Sequence, residues 1–334
     1  MHRLDRKIVL LHGKRAGAFD PNQPYLERAL RARAARKTRH ALRRMRPVVL
    51  HTPRWSMARQ FLDDVGADLR LGSPQIYTRT LSMAPTVVRP LSQTWQFVLA
   101  AMVEFCELQG QVTTGAVADR NGFRNQIAQM LRLAQRGAPR ALLIHEAETL
   151  NVAVLADIVE VFSAYADEYG EDRRFNLLIA SAISGPNMQI PGAEHVELAD
   201  YSPVEAVEAL VEVLGPSDGA RLAEAVRVVG GVPALLLALG DDGADAGTLA
   251  TGRDAIWRAL GPLAEEVRTA LDRVTSDDRL AERLEHVART GNVERDDAAG
   301  DGELERAGLL APIRWGRPNR VALRAPVFAE LVLG

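Results

Sequence analysis

The chain has 334 residues, more than one hydrophobic core usually serves, so two or three packed units are expected. Hydrophobic residues make up 47%, and no apolar run reaches the roughly 18 residues of a membrane span, which excludes an ordinary helical membrane protein. The single cysteine, Cys106, excludes an internal disulfide, and Met1-His2-Arg3-Leu4-Asp5 carries an early acid and no A-x-A cleavage pattern, so the expected compartment is a reducing cytoplasm.

The formal net charge of -2 hides an asymmetry. Residues 1–46 hold 14 Lys and Arg against 3 Asp and Glu, a net of +11, and the remainder holds 27 against 40, a net of -13. Most of the positive charge lies in one stretch: Arg28, Arg31, Arg33, Arg36, Lys37, Arg39, Arg43, Arg44 and Arg46. Such a segment meets nucleic acid, an acidic partner or the acidic remainder of its own chain. No aromatic residue interleaves with the arginines, so base stacking is not suggested there.

In chain order, Ile8-Val9-Leu10-Leu11 reads as a short strand and residues 12–24 as a Gly- and Pro-rich loop. Pro24 opens a helix of about two dozen residues that ends near Arg46, with a thin stripe of Leu26, Leu30, Leu42 and Met45. Strand–helix alternation follows. Strands are expected at 47–51, 75–81, 140–145, 175–180 and 195–198. Helices are expected at 56–65, ended by Gly66, and at 91–109, 122–136 and 150–169. Cys106 falls in one of these apolar helical stretches and reads as a small buried hydrophobe. Continuous apolar strands separated by helices imply a mostly parallel sheet covered on both faces.

Beyond residue 200 the character becomes helical. Ser202-Pro203-x-Glu205 is a helix start, since Ser caps, Pro fits the first turn and Glu suits the positive helix end. Helices are expected at 203–214, 217–229 and 233–239, then an acidic Gly-rich linker over 240–252. The last unit, 253–334, has three or four helices, a β-hairpin over 311–324 and a closing helix at 326–332.

This ordered series resembles the STAND branch of AAA+-type P-loop ATPases, and also the origin-recognition and transposition-type AAA+ ATPases. The resemblance runs from about residue 47 to 334. It implies an α/β fold: a parallel-sheet P-loop NTPase-like core at 47–200, an α-helical lid at 201–240 and a C-terminal winged-helix unit at 253–334, preceded by the basic segment 1–46.

In that family the first strand enters a loop with G-K-[ST], whose backbone N–H groups, Lys and hydroxyl hold the phosphates and Mg²⁺. The matching stretch is His51-Thr52-Pro53-Arg54-Trp55-Ser56-Met57-Ala58-Arg59-Gln60-Phe61-Leu62. It keeps the place, a Pro-Arg and a Phe-Leu, but Met57, Ala58 and Arg59 stand where Gly, Lys and the hydroxyl belong. Without Gly, the left-handed φ angles of such a loop are strained. The family's second motif is an apolar strand that ends in Asp-Glu; here the strand at 140–145 ends His145-Glu146, which leaves Glu146 as a vestigial general-base candidate and puts a poor Mg²⁺ ligand in the Asp place. Ser181 takes the place of the γ-phosphate sensor, and Gly230-Gly231-Val232-Pro233 resembles the family's Gly-x-Pro turn in the lid. The resemblance therefore implies a vestigial nucleotide pocket made of Thr52, Arg54, Ser56, Arg59, His145, Ser181, Gly231 and Pro233.

His145 and His195 have no clustered companions in sequence, so no metal site is expected. Three readings follow. The first is a catalytically inactive pseudo-ATPase, a scaffold inside a larger bacterial assembly. Its partners would be an active ATPase, other assembly subunits or copies of itself, and no cofactor is expected, ATP and ADP being the only candidates. The second is a nucleic-acid-binding regulator that uses Arg31, Arg36, Arg39 and Arg43 of the basic helix with Arg314, Arg317 and Arg320 of the wing. The third is a divergent active ATPase in which Arg54 or Arg59 replaces Lys and Glu146 is the base.

Overall fold

The computed structural model describes residues 29–82, 90–112, 117, 119–182, 190, 192–214, 219–236, 258, 260–313 and 319–333. The expected strand at 8–11, the loop 12–24 with its Pro24 helix start, Arg28, the linker 240–252 and the wing residues Arg314 and Arg317 lie outside the described residues. Where four successive segments are expected, the chain groups as two compact units that interleave in sequence. One joins Ala34–His51 to Ala58–Glu197; the other joins Thr52–Met57 to the chain from Leu198 onward, with residues up to Arg33.

The first unit begins on helix α1 (Ala29–Arg43), whose last ten residues belong to it. Its buried side is made of small groups, Ala34, Ala35, Thr38 and Ala41, with Leu42. Strand β1 (Val48–His51) is buried at every position. Helix α2 (Ala58–Leu71) follows. The expected stop at Gly66 is corrected: the helix runs through it, because a Cβ there would lie 2.7 Å from Thr78 Oγ1 and glycine permits the close approach. Then come β2 (Tyr77–Ser82), α3 (Leu91–Phe105), α4 (Arg120–Leu133), β3 (Arg140–His145), α5 (Val152–Tyr169), β4 (Phe175–Ser181) and β5 (Glu194–Glu197). Asp119 caps α4 by accepting from Gly122 N–H at 2.7 Å, and Asn151 caps α5 through Ala153 N–H.

All five strands are parallel, in the order β2-β3-β4-β1-β5. Val49, Leu142, Ile144, Leu177 and Ile179 pack with Val98, Leu99, Phe123, Ile127 and Ile158 of the helices. Their strand neighbours Val48, Leu50, Leu143, Leu178 and Ala180 face the opposite way and are equally buried. Burial on both faces explains why the strands read as continuous apolar runs.

The second unit contains α6 (Pro203–Leu214) and α7 (Gly219–Val229), then the Gly230–Pro233 turn and a helical turn at 233–236. The α6 start is a reciprocal cap: Glu205 N–H donates to Ser202 Oγ at 3.3 Å, and Ser202 N–H donates back to Glu205 Oε2 at 2.9 Å. It continues with α8 (Ala264–Thr275), α9 (Asp278–Thr290), β6 (Asn292–Glu294), α10 (Asp301–Arg306), β7 (Leu310–Pro312), β8 (Arg320–Leu323) and α11 (Val327–Leu333). The three strands form an antiparallel sheet in the order β6-β8-β7. One core joins Leu210, Leu222, Val229 and Leu235 to Val267, Leu284, Leu304, Val321 and Phe328, so the lid helices and the terminal segment fold as one body. Among the described residues no helix is long and apolar enough to cross a membrane.

Candidate functional site

In an open parallel sheet, polar groups gather outside the carboxyl ends of the strands, where successive connections diverge. Here β1 sits between β4 and β5. His51 closes β1 and is in register with Ser181, which closes β4, and both are buried. His145 closes β3, in register with Ser82 of β2. The sheet thus places His145 and Ser181 at the ends of adjacent strands, with His51 beside Ser181 as a third polar end that the sequence does not single out.

Beyond His145 the chain turns sharply. Glu146 has a φ of 54°, in the left-handed region, and its carbonyl accepts from Thr149 N–H at 2.8 Å and Thr149 Oγ1 at 2.7 Å. The carboxylate that ties this turn to the next strand end is Glu148, whose Oε2 accepts from Ala182 N–H at 3.1 Å. Glu148 escapes a motif search because it stands two places beyond the expected position, in His145-Glu146-Ala147-Glu148. Burial pushes the His145 imidazole below its ordinary pKa; Glu148 and Asp63 work against this and Arg59 with it. A neutral imidazole beside Glu146, 3.9 Å from Nδ1 to Oε2, can accept or donate one hydrogen bond but offers a hard Mg²⁺ ion no oxygen. Arg59 lies exposed in the first turn of α2, where the positive helix end disfavours a cation. Among the described residues no three His, Cys, Asp or Glu side chains gather as a metal site.

Thr52, Arg54 and Ser56 belong to the second unit, with Gly231 and Pro233. Trp55 and Met57 have φ angles of 63° and 60°, so the loop adopts left-handed turns without glycine. The Trp55 side chain is 8% exposed and forms part of the second unit's core. Its ring stands 5.8 Å from that of Phe328, and its Nε1 donates to Glu266 Oε2 at 3.2 Å. Arg54 lays its guanidinium over the same ring, 5.2 Å from its centroid. The loop backbone is engaged as well: Ser56 N–H donates to Pro53 O at 3.0 Å, and Trp55 O accepts from Ala234 N–H at 3.2 Å. That last bond ties the loop to the Gly230–Pro233 turn. At Gly231 the turn passes so close to Tyr201 that a Cβ would collide with Tyr201 O, and Tyr201 N–H donates to Gly231 O at 2.9 Å. Pro233 is buried in the first turn of the helical segment that follows.

This donor set does not fit a nucleotide triphosphate with Mg²⁺. The loop has no glycine, its Ser56 N–H is spent internally, and no lysine occurs anywhere beyond Lys37.

The basic residues divide. Arg31 is corrected from the surface set: it is 5% exposed, donates from Nη2 to Ser56 O at 2.6 Å and lies over the Tyr201 ring at 4.9 Å. Arg39 pairs with the buried Asp68 of α2. Arg36 and Arg43 are exposed. In the hairpin, Arg320 is exposed and reaches Asn292 O at 3.2 Å. Arg324, part of the same basic run in sequence, is instead buried against Asp200, with bonds of 2.8 and 2.6 Å. The acids of α10 are committed too: Asp301 pairs with Arg283 and Glu305 with Arg295.

No protein-family model matches the chain, and no curated protein matches it. Solved structures do. A Walker-type ATPase of Pyrococcus abyssi superposes with a TM-score of 0.57 at 13% identity, over 91% of this chain and 95% of that one. Cdc6p of Pyrobaculum aerophilum gives 0.48 at 12% identity, over 94% and 95%. A STAND protein of Pyrococcus horikoshii with a tetratricopeptide-repeat sensor gives 0.39 at 13%, over 89% of this chain and 41% of that one. The chain shares the fold of that Walker-type ATPase; at 13% identity the likeness speaks for the fold alone.

Proposed function

We propose that this chain is an AAA+-type subunit that neither cradles nor cleaves ATP, and that it serves as an interaction scaffold in a larger assembly. The observation that carries this reading is Trp55. At the place where a P-loop wraps phosphate, a tryptophan side chain is buried in the second unit's core, with Glu266 on its Nε1 and Ala234 N–H on its carbonyl. A loop that anchors a core is not free to close around a ligand. The chemistry around it agrees. Glu146 lacks an adjacent Asp, and Arg59 offers neither an ammonium nor a hydroxyl in the right place. With the phosphate-binding positions substituted, what remains is architecture: a parallel sheet covered on both faces and a second unit built on one hydrophobic core.

The experiment is a calorimetric titration of the purified chain with ATP and with ADP, each with and without Mg²⁺. The expected result is no heat of binding up to millimolar nucleotide. Tight Mg²⁺-dependent binding would overturn the reading, and turnover abolished by Glu146→Gln would then establish the divergent ATPase instead.

A further inference from the structure

The part of α1 that belongs to the first unit carries a charge arrangement that the scaffold reading does not use. From Arg28 to Leu62 the sequence contains no Asp or Glu. Arg36, His40 and Arg43 recur at the spacing of one helix face and are exposed, as are Arg44 and Arg46 just beyond the helix. Lys37 lies 3.7 Å from Glu194 and Arg39 pairs with Asp68, but among the described residues Arg36, Arg43, Arg44 and Arg46 enter no ion pair. The opposite face is anchored by Ala34, Ala35, Thr38, Ala41 and Leu42, so the arginine face is fixed outward and is not a collapsed tail.

We infer that this face binds the phosphate backbone of duplex nucleic acid, without reading its sequence. Protein–protein interfaces are organised around a desolvated core of aromatic and apolar groups. This face offers none, because its apolar residues are the ones turned inward. Single strands are held largely by stacking on aromatic side chains, and none is present here. Guanidinium groups in a row, with nothing apolar between them, suit only the electrostatic contact that phosphates provide. The lengths agree: Arg36 to Arg44 spans about 12 Å at 1.5 Å per residue, and a duplex strand carries a phosphate about every 3.4 Å, so three or four phosphates lie within reach.

The test is fluorescence anisotropy of the full chain with a labelled 20-base-pair duplex of arbitrary sequence, between 50 and 200 mM salt. Three to four phosphate contacts give a slope of log affinity against log salt near -3, a loss of roughly 50- to 150-fold across that range. In the triple variant Arg36→Glu, Arg43→Glu and Arg44→Glu, affinity at 50 mM salt should fall at least tenfold and the slope should flatten. The matching Arg→Lys triple variant should keep both, which separates charge from any effect on folding. The inference is overturned if the wild-type chain does not bind at 50 mM salt, or if the Glu variant binds with unchanged slope. It is also overturned, in favour of an acidic protein partner, if polyglutamate of equal charge displaces the duplex as well as unlabelled duplex does. None of these readouts involves nucleotide, so the inference and the scaffold reading fail separately.

Discussion

Trp55 donates its indole N–H to Glu266, a residue 211 positions away in sequence, from a backbone conformation normally reserved for glycine. A left-handed φ at a bulky residue costs roughly 1–2 kcal/mol, so something must offset it. Burial of the indole against Phe328 is large enough: removing a buried Trp side chain costs about 3–5 kcal/mol.

The first prediction follows. Trp55→Ala should lower the stability of the second unit by about 3–5 kcal/mol in urea denaturation followed by circular dichroism. Trp55→Gly removes the same ring but relieves the backbone, and should be about 1 kcal/mol less damaging than Ala. Trp55→Phe keeps an aromatic contact and loses only the indole hydrogen bond, and should be milder than either. An Ala variant within about 1 kcal/mol of wild type would mean that the indole does not anchor that core.

Gly231 gives a second prediction, by contrast with Gly192. A methyl group at Gly231 has no room against the Tyr201 backbone, whereas Gly192, with a φ of 71°, has open space around its missing Cβ. Gly192→Ala should cost only the backbone strain, about 1–2 kcal/mol. Gly231→Ala should cost more, since a main chain must move as well, and should show as faster limited proteolysis within the second unit. Equal effects at the two glycines would count against the Gly231–Tyr201 contact.

The first unit was largely legible in sequence, and the reason is burial. Strands covered on both faces become unbroken apolar runs such as Ala141-Leu142-Leu143-Ile144, which stand out without an alignment. Strand β6 did not stand out, because three residues with one buried valine carry no period. The basic helix misled for a different reason. Among the described residues its buried side is Ala34, Ala35, Thr38 and Ala41 with Leu42 of the expected stripe, so nothing in the pattern distinguishes the buried Arg31 from its exposed neighbours. The missing Gly and Lys of the loop were readable residue by residue. That Trp55 fills a core built from residues 206–331 was not, because the contact depends on tertiary packing and not on local spacing.

A third prediction concerns the buried pair of Arg295 and Glu305. Glu305 is 2% exposed, and burial holds its carboxyl above the usual carboxylate range despite the opposing pull of Arg295. A carboxylate whose folded pKa is raised opposes folding at neutral pH, and this opposition is relieved as pH falls through that pKa. Glu305→Gln should therefore be tolerated, within about 1 kcal/mol, because it removes a charge that burial already penalises and leaves Arg295 paired with Asp297, 2.7 Å away. Arg295→Met should cost about 3–5 kcal/mol, because it leaves that carboxylate uncompensated. Comparable losses from the two variants in urea denaturation would contradict the asymmetry.

His145 sets the fourth prediction, in the first unit. Its folded pKa lies below the ordinary histidine value, chiefly through burial, so the unfolded chain binds the proton more readily. Stability rises with pH wherever the unfolded state holds more protons. The contribution of neutral His145 is therefore fully present above the unfolded pKa, about 6.5, and is lost as pH falls from there toward the folded value. The urea midpoint of the wild-type chain should drop between pH 7 and pH 5.5, and His145→Gln should flatten that drop. The carboxylate of Glu148 holds the imidazole pKa up against burial, so Glu148→Gln should depress it further, visible as a more acidic His145 titration by NMR. If Glu148→Gln leaves that titration in place, the two side chains do not share a field, and the polar cluster at the ends of β3 and β4 is not one electrostatic unit.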